Sequence, residues 1–423
     1  MQTPTRELTS QVQLLAQRRI YRRASPTEMT YIETGLIVVS RSRIAGTVSR
    51  AQFDRAVAGL ERRYGVLRTV VENGQFVERT DDASATDMWA SAETCSADAL
   101  YAKLLNAQLD TRQNIYRLYV IAGAQDLDVF MLSSHAITDA TSLVELHACL
   151  AYLCDCVVRG VDPALDVQPF PSPVDAAVSQ SLAALATQPV SGAANLAGEF
   201  AEIPLRATYG GGPVTHRLER SVINADDMHR IGAAAHAHGV SVHAVLLAAF
   251  ALAIGDVAKQ SPRRILMRSS VDMRRRIEPH VSPELVFSAI TGHITPIMDL
   301  DRPLFAIAQD VYRDIHEGVA NGAIFHDYLN YPKVFGSKQQ APVALNISDM
   351  QAVRFHWPTQ QLKVTGFEYA CGWLKKFPNV SVSVYDGVLV ANTAYVEEFV
   401  DPLIMRAISE AVVDRMVSAC DAV

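Results

Sequence analysis

Four prolines, Pro163, Pro169, Pro171 and Pro173, fall within a dozen residues of a 423-residue chain. Each fixes φ and removes a backbone N–H, so neither a helix nor a sheet interior can run through that density. An Ala-rich stretch follows to about Leu205, and Gly210-Gly211-Gly212-Pro213 makes a second break. The chain is therefore expected to divide into an N-terminal unit (1–161), a connector with some helix (162–212) and a C-terminal unit (213–423). The length fits two such units. Hydrophobic residues at 49% and charged residues at 20% are enough for each to bury a core and argue against long disordered stretches.

Periodicity gives both units mixed helix and strand. In the first, residues 7–24 read as helix, 30–40 as strand from their β-branched content, and Ser49 as the cap of a helix bearing Phe53, Ala56, Val57 and Leu60. Asn73-Gly74 predicts a hairpin between Leu67–Val71 and Gln75–Glu78. Residues 97–109 read as helix, 115–122 and 128–133 as strands, and 141–158 as an apolar-periodic helix. In the second unit, 214–218 reads as strand, and Asn224 and Ser241 cap successive helices. Residues 265–271, 292–298 and 342–347 read as strands. A hairpin turns at Asp386-Gly387, and a terminal helix runs from Pro402 to Ala419. The order of elements in the two units is alike, although their sequences are not.

Several functions are disfavoured. The net charge is −7, and the longest basic run is Arg274-Arg275-Arg276, so nucleic acid is a poor partner. The N-terminus has no basic start followed by an apolar run, which predicts no signal peptide and a cytoplasmic location. The most apolar run, Val245–Ile254, is too short to span a bilayer. Cys149, Cys154 and Cys156 lie near His147, but their spacing puts them on different helix faces and they read as buried small hydrophobes. His236, His238 and His243 lack an acidic or thiol partner at a matching spacing, so no metal site is expected. There is no P-loop, no dinucleotide fingerprint and no Gly-x-Ser-x-Gly elbow.

One segment carries chemistry. Met131-Leu-Ser-Ser134-His135-Ala-Ile-Thr-Asp139-Ala140 follows an apolar strand and precedes a helix. A histidine leaving the end of a buried strand is placed to face a cleft, and a carboxylate four residues on can fix the loop. A neutral imidazole there suits removal of a hydroxyl proton.

Ser134-His135-Ala136-Ile137-Thr138-Asp139-Ala140 resembles the His-His-x-x-x-Asp-Gly signature of the superfamily that includes chloramphenicol acetyltransferase, ester-forming acyltransferases and nonribosomal peptide condensation domains. Ser134 stands for the first histidine and Ala140 for the glycine. Val271-Asp272-Met273-Arg274 resembles the Val-Asp-Leu-Arg stretch of the same family, and Leu345-Asn346-Ile347-Ser348-Asp349 its tunnel-lining segment. Leu60-Glu-Arg-Arg-Tyr-Gly-Val-Leu67-Arg68 keeps part of a His-Pro-x-Leu-Arg pattern, with Tyr64-Gly65 in place of His-Pro. Length and order resemble most closely the mycobacterial phthiocerol dimycocerosyl transferase type.

The resemblance implies an α+β pseudo-dimer of two chloramphenicol-acetyltransferase-like sandwich halves with a tunnel between them. His135 is then the base and Asp139 a structural residue paired with Arg274. Asn346 or Ser348 is an oxyanion donor, and Ser134 tunes the tunnel near the base. The implied reaction is O-acyl transfer from a carrier-protein or CoA thioester to a hydroxyl on a lipid, polyketide or related metabolite. No bound cofactor or metal is needed. The implied partner is an acyl carrier protein or a polyketide or peptide synthase, with the enzyme itself a monomer. An amide-forming condensation domain and a non-catalytic docking member of the same fold are the alternatives.

Overall fold

The computed structural model describes residues 18–80, 84–185, 199–206, 212–258, 263–335, 341–372 and 376–420. Residues 7–17 of the expected N-terminal helix, residues 186–198 of the Ala-rich stretch and Gly210-Gly211 lie outside them.

Local capping decides several elements. Ser25 and Glu28 form a reciprocal capping box at the start of Pro26–Thr34, with proline in the first turn and Gly35 closing the helix in the left-handed region (φ 64°). This corrects the strand expected over residues 30–40. The cap and the proline outweigh the β-branched Thr30, Ile32 and Thr34, and the strand starts later, as Ile37–Ala45. The expected helix over residues 7–24 also fails where it is described. Ile20–Arg23 is extended and pairs antiparallel with Gln75–Glu78. Arg22 is drawn out of any helical path by a bidentate bond to Glu28 (both 2.7 Å) and by donation to the Pro171 carbonyl (2.7 Å).

Other expected elements form close to their predicted places. Ser49 and Gln52 make a second capping box on Arg50–Arg63. Asn73 and Gly74 both take positive φ in the turn between Thr69–Glu72 and Gln75–Glu78, as do Asp386 and Gly387 between Asn379–Tyr385 and Val388–Val396.

Three sheets result. A small one joins Ile20–Arg23, Gln75–Glu78 and Thr69–Glu72. A six-stranded sheet runs Ile290–Ile297, Ile265–Asp272, Val343–Ala352, Asn379–Tyr385, Val388–Val396, His216–Ile223. A five-stranded sheet runs Lys363–Gly372, Ile37–Ala45, Asp126–Ser134, Tyr116–Ala122, Thr86–Ser91. The first strand of that list comes from the second half of the chain and pairs antiparallel along the whole of Ile37–Ala45. It has no counterpart in the periodicity reading, and neither do the helices Leu304–Ala320 and Ala323–Phe335.

Helices cover the large sheets, and the five-stranded one is covered on both faces, Ala97–Leu105 packing on Ile37, Val39, Phe130 and Leu132. Arg50–Arg63 and Ala140–Arg159 cover the other face of the five-stranded sheet, and Val242–Ala258 and Pro402–Ser418 cover the six-stranded one, giving the two larger apolar cores. Among the described residues Ala140–Arg159 is the single unbroken helix long and apolar enough to cross a membrane, and 72% of its apolar window is buried inside the protein. The connector is docked on both units. Asp175, in the helix Val174–Ala184, accepts hydrogen bonds from Thr27 and from Tyr328, and Gln168 bridges to Tyr64.

Candidate active site

The strand Asp126–Ser134 is paired on both sides, to Ile37–Ala45 and Tyr116–Ala122, so its end is fixed in space. The chain then turns sharply. Ile137 N–H donates to the Ser134 carbonyl (3.2 Å), Ala136 N–H to Ser134 Oγ (3.3 Å), and Thr138 Oγ1 bonds both Ser133 Oγ (2.7 Å) and the Ser134 carbonyl (3.1 Å). The backbone N–H of His135 donates to the Leu36 carbonyl (3.0 Å). These bonds hold His135 at the apex of the turn.

Asp139 caps the following helix, its Oδ1 accepting from Ser142 N–H (3.0 Å). Its two oxygens also receive Arg274 bidentately (2.6 and 3.0 Å), and Oδ2 accepts from Ala289 N–H (2.9 Å). Arg274 is 1% exposed, lies over the Phe287 ring and donates to Ser142 Oγ and to the Phe287 carbonyl. Burial pushes the Asp139 carboxyl up, but the guanidinium and the two backbone N–H groups overcome it and hold the pKa below the usual 3.8. This buried knot fastens the histidine turn to the second unit.

His135 is half-buried in the cleft where the two large sheets meet. Its ring stacks on Tyr31 (4.6 Å between centroids, 10° between planes), and Nδ1 lies 3.3 Å from Ser288 Oγ. Burial lowers its pKa below 6.5, against hydrogen bonds to its own and Thr138's backbone and the Asp139 charge, which raise it; the Arg268 charge lowers it further. The ring is therefore neutral at pH 7.

A pocket opens beside the imidazole. The first unit contributes Tyr31, Val38, His135 and Ala140. The second contributes polar side chains at alternate positions of three adjacent strands: Arg268 and Ser270, Asn346 and Ser348, Asn379 and Ser381. Asn346 stands in register with Arg268 on one side and Asn379 on the other. The row is hydrogen-bonded: Arg268 donates to Asn346 Oδ1 (2.9 Å), and Asn346 Nδ2 donates to Asn379 Oδ1 (2.5 Å) and Ser270 Oγ (3.2 Å). Tyr369, on the strand that crosses between units, donates to Ser348.

The expected residues thus split. His135, Asn346 and Ser348 line one pocket, and Asp139 and Arg274 meet directly behind it. Ser134 is 2% exposed and does not reach the pocket wall. Sequence reasoning missed Tyr31, Arg268, Ser288 and Tyr369. Arg268 had a legible signal, since Arg268, Ser270 and Asp272 alternate with Met267, Ser269 and Val271 and so share one strand face.

Other singled-out residues have structural work. His147 bonds Ser40 and Ser42 through both ring nitrogens, and burial pushes its pKa down to about 3. Cys149, Cys154 and Cys156 are buried free thiols. His243 links Ser269 (2.9 Å) and Asp349 (3.3 Å), tying a helix to the sheet; Ser269 is 1% exposed and faces away from the pocket, too enclosed to serve as a nucleophile. Tyr64 donates to the buried Glu145, which also accepts from Trp357. Arg275 is exposed, and Arg276 donates back to the Asp272 carbonyl. Among the described residues no group of three or more His, Cys, Asp or Glu is arranged to hold a metal ion.

Comparison with known proteins agrees with this architecture. Residues 212–399 match the family model described as the phthiocerol/phthiodiolone dimycocerosyl transferase C-terminus. No curated protein sequence matches significantly. Among solved structures, polyketide synthase associated protein 5 from Mycobacterium tuberculosis superposes with a TM-score of 0.71 at 16% identity, covering 95% of this chain and 100% of that one. The trichothecene 15-O-acetyltransferase of Fusarium sporotrichioides gives 0.71 at 11%, covering 95% and 96%. The epimerization domain from the third module of tyrocidine synthetase B gives 0.70 at 11%, covering 96% and 97%.

Proposed function

We propose that this chain, which carries the acyltransferase/condensation-type fold, is an O-acyltransferase that moves an acyl group from a thioester onto a hydroxyl. The observation that supports this best is a neutral, half-buried His135 facing a pocket between the two sheets, with Asp139 fully engaged elsewhere.

In this reading the hydroxyl oxygen attacks the thioester carbonyl while a His135 ring nitrogen takes the hydroxyl proton. The tetrahedral intermediate collapses, the carbon–sulfur bond breaks, and the same proton goes to the departing thiolate. In this reading Nδ1, 3.3 Å from Ser288 Oγ, carries the ring hydrogen, which leaves the Nε2 lone pair for the substrate. Asp139 relays no proton, because both its oxygens are bound by Arg274 and backbone N–H groups; it positions the turn. Of the two oxyanion candidates, Ser348 suits the role better than Asn346. Asn346 spends its amide hydrogens on Ser270 and Asn379, whereas Ser348 accepts from Tyr369 and keeps its own hydrogen to donate. The co-substrate in this proposal is the thioester of CoA or of a carrier protein belonging to a polyketide or peptide synthase.

The test is His135→Ala, assayed by mass spectrometry of products from a panel of acyl thioesters and alcohols. Turnover should fall by about 10²–10⁴-fold while the circular dichroism spectrum and melting stay those of the parent. Unchanged turnover refutes the assignment.

A further inference from the structure

Two hydrogen-bond chains run through the polar wall of the pocket, and both begin at a group that can only donate. A guanidinium has no acceptor atom. That of Arg268 lies across the neighbouring strand at Gly292, where a Cβ would come within 1.9 Å of it, and donates to Asn346 Oδ1 (2.9 Å). Only glycine at 292 leaves that path open. The bond fixes the Asn346 amide with its oxygen toward the arginine and its nitrogen away. Nδ2 then donates to Ser270 Oγ (3.2 Å) and to Asn379 Oδ1 (2.5 Å). The second of these fixes Asn379 in the same sense, and its own Nδ2 donates to Ser381 Oγ (3.2 Å). Each chain stops at a serine. Ser270 and Ser381 accept, and among the described residues neither gives its own hydrogen to any group. Both line the space beside His135, with Ser348 on the strand between them. The three serines lie two residues beyond Arg268, Asn346 and Asn379, Ser348 in register with Ser381. Neighbouring strands are about 4.8 Å apart, so the serines make a rung of hydroxyls at that spacing.

We propose that Ser270 and Ser381 are specificity-determining residues that read a hydrogen-bond-accepting oxygen, a ketone or an ether, on the acyl chain next to the reacting carbonyl. This rests on the pocket beside His135 being the acyl-transfer site and on Ser348 being the donor to the reacting carbonyl oxygen. With that carbonyl at Ser348, an oxygen at position 3 of the acyl chain is within reach of a hydroxyl one strand away on either side. A fully reduced chain would cover the two hydroxyl hydrogens and give them no acceptor. Stripping water from a polar group without replacing its partner is costly. The oxygenated chain supplies the partner. The substrate class is thus a 3-oxo- or 3-oxa-acyl thioester, not a plain fatty acyl one.

The experiment reads binding, not turnover, so it stands apart from the test of His135. Calorimetric titration of the full chain compares three N-acetylcysteamine thioesters of equal chain length: 3-oxooctanoyl, pentyloxyacetyl and octanoyl. The ketone and the ether should each bind at least about fivefold more tightly than the octanoyl chain. The double variant Ser270→Ala/Ser381→Ala should bring both ratios to near one while binding the octanoyl thioester as the parent does. If the double variant does not fold, the two single variants give the same reading, the ratio falling in one of them or in both. Octanoyl bound as tightly as the oxygenated chains, or a preference that survives removal of both hydroxyls, overturns the proposal. So does a preference for the ketone that the ether does not share, because it would report the acidic 3-oxo group and not hydrogen-bond acceptance.

Discussion

At the scale of single residues the site is set by competition between burial and charge. His135 sits in a cleft that depresses its pKa below 6.5. The acid limb of the pH–rate profile should therefore lie below the ordinary imidazole range, with activity flat through pH 7. A limb above 6.5 contradicts the neutral-base reading. Asp139 and Arg274 show the opposite balance. Both are nearly inaccessible; Arg274 is the charged partner of Asp139, and Asp139 is the nearer of two carboxylates on Arg274 (2.6 Å against 3.3 Å for Asp272). Asp139→Ala leaves the buried guanidinium with only the more exposed Asp272 (3.3 Å) as counter-charge and should cost about 3 kcal/mol of stability, together with a loss of rate. Denaturant unfolding checks this. Parent-like unfolding with lost activity would show instead that Asp139 acts in the chemistry.

At the scale of elements the sheet face does the same job that a loop does in other sites. Polar residues at alternate positions of Ile265–Asp272, Val343–Ala352 and Asn379–Tyr385 face the pocket, while Met267, Leu345, Ile347, Val380 and Val382 enter the core on the other side. A one-residue slip in any of these strands would exchange the two sets, so register and function are the same constraint. A second element-level device is His293. Burial pushes its pKa down, but Asp314 (3.0 Å) and Asp327 (3.2 Å) overcome it and lift it to about 9. These carboxylates belong to the helices Leu304–Ala320 and Ala323–Phe335, so the charged ring ties both helices to the strand Ile290–Ile297. A raised pKa means the stabilisation is full below 6.5 and is lost as pH rises through about 9. The melting temperature should fall between pH 7 and 10, and His293→Gln should flatten that fall. An equal fall in the variant assigns the pH dependence elsewhere.

At the scale of the whole molecule the two units are interlocked. Lys363–Gly372 is an edge strand of the first unit's sheet although it lies in the second half of the chain. It covers Ile37–Ala45, which would otherwise present open N–H and C=O groups beside an apolar face. A fragment ending at residue 161 should therefore be insoluble or molten when expressed alone. Supplying a peptide that spans residues 353–372 should improve its recovery. A well-folded, monomeric fragment by NMR would show that the crossing strand is dispensable.

Much of this was legible in the sequence because it depends on neighbours in the chain. The caps at Ser49 and Asn224, the Asn73-Gly74 and Asp386-Gly387 turns and the strand–turn–helix around His135 all follow from local sterics and hydrogen bonding. The motif resemblance paired Asp139 with Arg274 across 135 residues of chain, and the two are in contact. Local signals misled where competing ones overlapped, as at Pro26–Thr34, and where partners were distant, as at Ile20–Arg23. Tertiary structure alone decided which strands of the second half would cross to the first, which helix would carry Tyr31 to the face of the imidazole, and which glycine would leave room for Arg268. Those outcomes depend on what each side chain meets from elsewhere in the chain, and no period of 2 or 3.6 encodes that.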